Sequence, residues 1–91
     1  MSKTITEKDT DKKEKQELRW TLILWNDDTN SFDHVITCLI DICNHTIEQA
    51  TQCSYIVHHN GKCDIKKGEF EELYHMKKLL NDRQLSVTLE N

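Results

Sequence analysis

Apolar and polar residues alternate along residues 18–25, and this alternation predicts the first β-strand. A period of two places successive side chains on opposite faces of a sheet, and the segment is rich in residue types that favour strands. One face carries Leu18, Trp20, Leu22 and Leu24. The next six residues, 26–31, are polar types that form turns, so we expect a loop that ends in a helix cap at Asn30 or Ser31.

From Phe32 onward the apolar residues follow a helical spacing. They recur at the intervals expected for one face of an amphipathic helix. These residues are Phe32, Val35, Ile36, Leu39, Ile40 and Cys43. Because Asn44 and His45 end the pattern, the sequence predicts a first helix over residues 32–43.

A second helix is indicated by Thr46 and Gln49, which have the spacing of a capping box. We expect this helix to continue through about His59. Asn60 and Gly61 then provide the left-handed stop that ends many helices. One face of the helix carries Ile47, Ala50 or Thr51, Ser54, Val57 and His58.

A short strand and a third helix follow. Residues 62–66 predict the strand, which Gly68 breaks. The third helix is indicated by acidic residues in its first turn and basic residues near its end, an arrangement that complements the helix dipole. These charged residues are Glu69, Glu71, Glu72, Lys77 and Lys78. The expected buried stripe is Phe70, Leu73, Met76 and Leu80.

Leu85, Val87 and Leu89 alternate with polar residues and predict a closing strand. The predicted order of elements is therefore β-α-α-β-α-β. Short elements in this order pack most economically with every helix on the same side of the sheet. The expected fold class is α+β, a small three-stranded sheet with three helices on one face, preceded by a disordered tail.

Length and composition favour one domain with a charged extension. The chain has 91 residues, of which 36% are hydrophobic, and this is enough for a single core. Residues 1–17 carry only Met1 and Ile5 as sizeable apolar side chains, so we expect a disordered N-terminal extension and a core domain over residues 18–91. The formal net charge of −4 disfavours binding to nucleic acid or to an anionic membrane. Because no apolar run resembles a membrane span or a signal peptide, we expect a soluble cytoplasmic protein.

The chain has four cysteines, Cys38, Cys43, Cys53 and Cys63. Without an export signal we expect them to stay reduced. Three of them lie on predicted helices, where cysteine behaves as a small buried hydrophobic residue.

Two polar features could carry chemistry. Asn26, Asp27 and Asp28 follow a strand directly and precede a buried helix, although these residue types also dominate ordinary turns. His58 lies on the apolar side of the second helix, where a core histidine with satisfied hydrogen bonds is the common finding. A neutral imidazole at that position could instead accept a hydrogen bond from a ligand. If the second helix packs against the first, the two features converge.

Metal binding and catalysis have weaker support. His34 and Cys38 are four residues apart on one helix, but the chain has no CxxC pair, and structural zinc usually draws on closely spaced ligand pairs. No nucleophile elbow or phosphate loop is present. We therefore expect no enzymatic activity, no metal and no cofactor. The alternative is a small metal-dependent or acid-base enzyme that uses Asp27, Asp28 and His58.

Several short segments together resemble the ClpS family, the adaptors of the bacterial N-degron pathway, over roughly residues 18–90. Each segment is short, but their order and spacing are specific. They are the strand that leads into Asn26-Asp27-Asp28, and then Phe32-Asp33-His34-Val35-Ile36, Glu48-Gln49-Ala50-Thr51-Gln52, Val57-His58-His59-Asn60-Gly61-Lys62 and Thr88-Leu89-Glu90.

The resemblance implies an adaptor that binds proteins by a bulky hydrophobic N-terminal residue, Leu, Phe, Tyr or Trp, and delivers them to a Clp AAA+ unfoldase and its protease. Asn26, Asp27 and His58 would hold the free α-amine. The pocket wall would be Asn30, Phe32, Val35, Ser54, Val57 and Leu85. The resemblance also implies that the N-terminal extension is engaged by an unfoldase of the ClpA or ClpC type, with Glu72 and Lys77 as candidate contacts. A monomer is the simplest expectation for the oligomeric state.

This chain departs from the family pattern at the pocket. Phe32 and Ser54 stand where family members often carry methionine. A ring at the first position reshapes the pocket, whereas a serine at the second enlarges it and adds a hydroxyl. The same order of elements also resembles the C-terminal domain of the ribosomal stalk protein, so a generic protein-interaction domain without amine recognition is the second hypothesis.

Overall fold

The computed structural model describes residues 20–91, which have the predicted α+β fold in the order β-α-α-β-α-β. The strands are β1 (Trp20–Trp25), β2 (Lys62–Gly68) and β3 (Ser86–Glu90), and the helices are α1 (Phe32–Cys43), α2 (Ile47–Asn60) and α3 (Phe70–Asp82). The segment 1–17, expected to be disordered, lies outside the described residues, as do the first two residues of the predicted first strand.

The sheet has the order β2-β1-β3, and both outer strands are antiparallel to β1. Trp25, at the end of β1, is therefore paired with Lys62 at the start of β2 and with Ser86 at the start of β3. The chain that leaves β1 and the chains that enter the other two strands consequently meet at one end of the sheet. This end also receives the last turn of α2, because β2 follows that helix after Gly61.

The core lies between one face of the sheet and the three helices, as expected. Its largest members are leucines that are at most 2% exposed. They are Leu22 and Leu24 of β1, Leu39 of α1, and Leu73 and Leu80 of α3. Full burial of such a side chain contributes about 1.5–3 kcal/mol each, so this layer fixes how the helices sit on the sheet.

The predicted helix ends are confirmed by their capping contacts. Ser31 caps α1, and its hydroxyl accepts a hydrogen bond from the His34 backbone N–H at 3.1 Å. Thr46 and Gln49 form the capping box of α2. Gly61 ends α2 at φ +92°, in the left-handed region that glycine adopts without strain. Local sequence alone therefore specifies these boundaries.

The predicted end of the second strand was wrong by two residues. β2 continues through Gly68, which pairs with Trp20, instead of breaking before it. Antiparallel pairing uses backbone groups, which glycine also has, and β1 is long enough to supply the partner. Gly68 is thus the last residue of the strand.

The charge pattern of the third helix was also read incorrectly at its C-terminal end. α3 extends through Asp82, so Lys77 and Lys78 lie about a turn before the end, and its last turn has no basic residue. Phe70 is not buried: it is 42% exposed and packs edge to face on Trp20, with ring centroids 4.9 Å apart. Position 70 is the first residue of the helix, and its ring lies against the start of β1 instead of in the core.

The helices are short, with 12, 14 and 13 residues in α1, α2 and α3. Each buries one side against the sheet. Within residues 20–91, none of them is long and apolar enough to cross a membrane.

All four cysteines are unpaired, and three of them lie on helices as predicted. Burial raises the pKa of Cys43 to about 11 and that of Cys63 to about 12. Both thiols therefore remain protonated at neutral pH and are poor nucleophiles. They serve as packing residues of the core.

Candidate functional site

A cavity of about 240 Å3 opens at the end of the sheet where β1 ends. It is smaller than the roughly 300–1,000 Å3 of pockets that hold drug-sized ligands, so its size suits a single side chain. The lining residues come from the end of β1, the loop after it, the first turn of α1, the last turns of α2 and the residue before β3. They are Leu24, Trp25, Asn26, Asp27, Asp28, Asn30, Ser31, Phe32, Val35, Ser54, Val57, His58 and Leu85.

The structure brings together every residue that the resemblance implied for amine binding or for the pocket wall. These nine residues are Asn26, Asp27, Asn30, Phe32, Val35, Ser54, Val57, His58 and Leu85. Glu72 and Lys77 lie on α3 and do not line the cavity. The prediction missed Leu24, Trp25 and Ser31, although their positions at the end of a strand and at a helix cap were visible in the sequence.

One backbone hydrogen bond explains why the loop after β1 meets the end of α2. The Asn26 N–H donates to the Gly61 carbonyl at 2.9 Å. Gly61 in turn donates its N–H to the Val57 carbonyl, which closes the last turn of α2. The loop is therefore held beside His58, and both line the same cavity.

Asp27 organises the loop with its carboxylate. Its Oδ1 accepts hydrogen bonds from the Thr29 backbone N–H at 3.1 Å and from the Thr29 hydroxyl at 3.0 Å. The Asn30 backbone N–H donates to the same oxygen at 3.1 Å. Oδ2 is less occupied, with the Asn30 side-chain amide at 2.9 Å and the Ser86 hydroxyl at 3.4 Å. One carboxylate oxygen thus shapes the loop, and the other has acceptor capacity left.

Asn30 lines the cavity and also connects two segments of its wall through hydrogen bonds. Its side-chain Nδ2 donates to the Asp27 carboxylate and also to the Gln84 carbonyl at 2.9 Å. Gln84 has φ +75°, a left-handed turn that directs the chain into Leu85 and β3. The amide therefore ties the two halves of the cavity wall together, a role that no local sequence pattern indicates.

The carboxyl of Asp27 is held in its ionised form. Partial burial acts to raise its pKa, but hydrogen bonds from the Thr29 hydroxyl and from the backbone N–H groups of Thr29 and Asn30 outweigh that effect, and the pKa lies below its ordinary value. A general acid or base works best with a pKa near the operating pH, which for a carboxyl requires a raised value. This direction of shift favours a fixed negative charge over acid-base catalysis at Asp27.

His58 is not the satisfied core histidine that is common at such a position, and that interpretation was wrong. Its side chain is exposed at the rim of the cavity, and its ring packs edge to face on Phe32 with centroids 5.4 Å apart. Among the contacts within residues 20–91, its ring nitrogens have no hydrogen-bond partner. The imidazole is therefore available to a ligand.

The inner wall of the cavity is apolar. Val57 and Leu85 are at most 6% exposed, and Val35 packs beside them. Ser54 was expected to add a hydroxyl to the pocket, but its Oγ donates to the Ala50 carbonyl at 2.9 Å within α2. Because the hydroxyl is already bonded, Ser54 enlarges the cavity without adding a free polar group.

Among the described residues, metal binding has little structural support. Within residues 20–91, no group of three or more His, Cys, Asp or Glu side chains is arranged to hold one. His34 and Cys38 do face the same way, with Nε2 and Sγ 3.6 Å apart, but the His34 Nε2 also lies 2.8 Å from the Arg83 carbonyl. This pair packs α1 against the end of α3.

The cavity therefore combines two kinds of chemistry. Its mouth presents an ionised carboxylate, an amide side chain and an imidazole, from Asp27, Asn26 and His58. Its interior presents valine and leucine side chains. Such a site can hold a small ligand with a cationic head and an apolar side chain.

Comparisons with known proteins identify similar sequences and a similar fold. The family model described as "ATP-dependent Clp protease adaptor protein ClpS" matches residues 15–89. ATP-dependent Clp protease adapter proteins ClpS from two Campylobacter jejuni strains, 81-176 and RM1221, are each 35% identical over 69 residues, which is 74% of this chain and 71% of each relative. The solved structure of Agrobacterium tumefaciens ClpS2 bound to L-phenylalaninamide matches with a TM-score of 0.70 at 16% identity, covering 81% of this chain and 96% of that one. At this identity the likeness shows a shared fold.

Proposed function

The chain belongs to the ClpS family, adaptor proteins of the ATP-dependent Clp protease, and from this premise we propose that it captures substrate proteins by a bulky hydrophobic N-terminal residue. In this proposal the free α-amine binds at the mouth of the cavity and the first side chain fills its interior. The adaptor then delivers the substrate to a Clp AAA+ unfoldase of the ClpA or ClpC type.

The observation that carries the proposal is the division of the cavity into a polar mouth and an apolar interior. A free α-amine has a pKa of about 7.7–8.0 and is largely protonated at neutral pH, so it needs acceptors when it loses water. Asp27 offers a negative charge, Asn26 an amide oxygen, and His58 a lone pair while its ring is neutral. An internal residue of a protein has no ammonium group, and selectivity for chain ends follows.

The energies are consistent with a reversible adaptor. Hydrogen bonds to a charged group contribute about 1.5–3 kcal/mol each, and burial of a Leu or Phe side chain adds about 1.5–3 kcal/mol. Association costs offset much of this sum, so we expect a dissociation constant on the order of micromolar. An adaptor that must release its cargo to an unfoldase is suited to such an affinity.

The first test compares a fluorescent peptide that begins with Leu or Phe with its N-acetylated twin. We expect the free peptide to bind and the acetylated peptide to bind at least about tenfold more weakly, because acetylation removes the ammonium group. Fluorescence anisotropy measures both affinities. Equal affinity for the two peptides would favour a generic interaction domain and refute amine recognition.

The second test uses a matched pair of variants, Asp27→Asn and Asp28→Asn. Both residues line the cavity, but only Asp27 has the hydrogen bonds that fix its carboxylate in place. Asparagine keeps an acceptor for the loop and removes the charge. We expect Asp27→Asn to weaken binding of the free peptide roughly ten- to hundredfold and Asp28→Asn to change it by less than about threefold. Similar losses in both variants would show that charge near the mouth acts without a specific contact.

A further inference from the structure

Four rings form a continuous row on the surface beside the cavity. Phe32 packs edge to face on Tyr55 with centroids 5.4 Å apart and on His58 at the same distance. Tyr55 stacks on His59 at 5.9 Å with an angle of 9° between the planes. His58 and His59 are 5.3 Å apart. We call these four residues, Phe32, Tyr55, His58 and His59, the aromatic row.

The aromatic row is exposed and is continuous with the cavity. Phe32 and His58 line the mouth, whereas Tyr55 and His59 lie outside it. Phe32 is 37% exposed and Tyr55 is 54% exposed. A contiguous exposed apolar patch often marks an interaction site on a protein surface, and this patch adjoins the cavity.

We propose that the aromatic row is a second subsite, which takes the side chain of the substrate's second residue and favours an aromatic one. The proposal rests on the proposed function, because it requires the first residue to occupy the cavity with its α-amine at the mouth.

The direction of the bound chain supports this placement. Two bonds of the substrate's first α-carbon are committed, one to the amine held at Asn26, Asp27 and His58 and one to the side chain in the cavity. The carbonyl carbon must therefore leave through the mouth, where Phe32 and His58 continue into the other two rings of the aromatic row. Consecutive α-carbons are 3.8 Å apart, so the second side chain begins within reach of the Phe32 and Tyr55 rings.

The arrangement of the rings favours a flat side chain. Phe32 and Tyr55 are nearly perpendicular, at 89°, and a third ring placed against this corner can stack on one and meet the edge of the other. The polar edges of His58 and His59 bound the other side of the row. A substrate with alanine at its second position would leave this corner in water.

Peptides that differ only at their second residue test the proposal. Leu-Phe and Leu-Ala peptides with the same remaining sequence and the same C-terminal fluorophore are titrated against the protein. We expect the Leu-Phe peptide to bind roughly two- to tenfold more tightly, the range that one aromatic contact supplies. In Tyr55→Ala the ratio of the two affinities should fall to about one.

Tyr74→Ala is the matched control. Tyr74 is also an exposed tyrosine, at 45%, but it lies on α3 beside Phe70 and does not line the cavity. Its variant should keep the wild-type ratio. Because both tyrosines are exposed, neither substitution removes a buried side chain, and circular dichroism confirms that each variant is folded.

The possible outcomes separate the subsite from amine recognition. A wild-type ratio of one, or a ratio unchanged in Tyr55→Ala, overturns the subsite. Amine recognition is left intact in that case if the N-acetylated Leu-Ala peptide binds at least about tenfold more weakly than the free one. Loss of the preference in both tyrosine variants also overturns it, because the effect is then not specific to the row. If neither free peptide binds, the subsite and the proposed function fail together.

Discussion

The two ends of β1 both present exposed aromatic side chains, but the rings are arranged differently at the two ends. At the Trp20 end, Phe70 stacks on Tyr74 with centroids 5.6 Å apart and packs edge to face on Trp20. At the Trp25 end, the rings line a cavity with a carboxylate and with an imidazole that has no hydrogen-bond partner among residues 20–91. Exposed aromatic residues alone therefore do not identify the site.

The electrostatic surroundings of the two ends differ as well. Lys77 and Lys78 lie with their Nζ atoms 5.8 and 6.0 Å from the centre of the Tyr74 ring, so cations flank the Trp20 end. The Trp25 end presents Asp27 and Asp28 at the cavity, and the Lys62 Nζ lies 5.3 Å from the centre of the Trp25 ring. Both ends thus have a cation near an aromatic ring. The feature of the Trp25 end is the pair of carboxylates that line its cavity.

The largest effect on stability should come from a substitution in the core, which supports both ends of β1. Leu39 is fully buried, so Leu39→Ala should lower the free energy of unfolding by about 2–5 kcal/mol. Urea denaturation measures the change. Leu79→Ala is the control, because Leu79 is 39% exposed and its loss should cost far less. Similar costs for the two leucines would show that α1 does not anchor the fold as described.

A charge reversal on α3 should affect unfoldase binding without affecting peptide binding. If Lys77 contacts the unfoldase as the resemblance implies, Lys77→Glu should weaken binding to the isolated N-terminal domain of a ClpA- or ClpC-type unfoldase roughly three- to tenfold, because an anion replaces a cation. Peptide affinity should be unchanged. Asp27→Asn should instead weaken peptide binding and leave unfoldase binding unchanged.

Lys62→Glu is the control for this reversal, since it makes the same change of charge on β2 at the opposite end of the sheet, where Lys62 pairs with Trp25. Calorimetry with the unfoldase domain measures all three variants. A loss of unfoldase binding in Lys62→Glu equal to that in Lys77→Glu would mean that net charge, and not a contact on α3, governs the interaction.

The smallest expected effect is a loss of protein stability at low pH, caused by protonation of Asp27 in the loop. Because the folded-state pKa of Asp27 lies below its unfolded value, the carboxylate stabilises the fold above the unfolded pKa, and that stabilisation is lost as the pH falls through the folded pKa. We therefore expect wild type to lose stability relative to Asp27→Asn below roughly pH 4. The effect is small because the group is largely solvated.

Urea denaturation at several pH values between roughly pH 3 and pH 6 measures this difference, with Asp28→Asn as the reference for a general loss of charge. Parallel pH profiles for wild type and Asp27→Asn would contradict a lowered pKa at Asp27.

Most of the fold could be predicted from local patterns. The apolar spacing of α1, the capping box at Thr46 and the left-handed Gly61 each depend on a few neighbouring residues, and each was confirmed. The errors arose where a neighbour in space decides the outcome. Phe70 has helical spacing but packs on Trp20, and Gly68 belongs to β2 because β1 is there to pair with it.

The sequence by itself determined the order of elements, the family resemblance and the residue types available for an amine and an apolar side chain. Only the tertiary structure decided their arrangement. Asn26 bonds to Gly61, 35 positions further along the chain, and this contact holds the loop beside His58. Asn30 bridges Asp27 to the Gln84 carbonyl, and Ser54 directs its hydroxyl into its own helix. Hydrogen bonds between distant segments have no periodicity, so a sequence pattern cannot reveal which donors and acceptors remain free for a ligand.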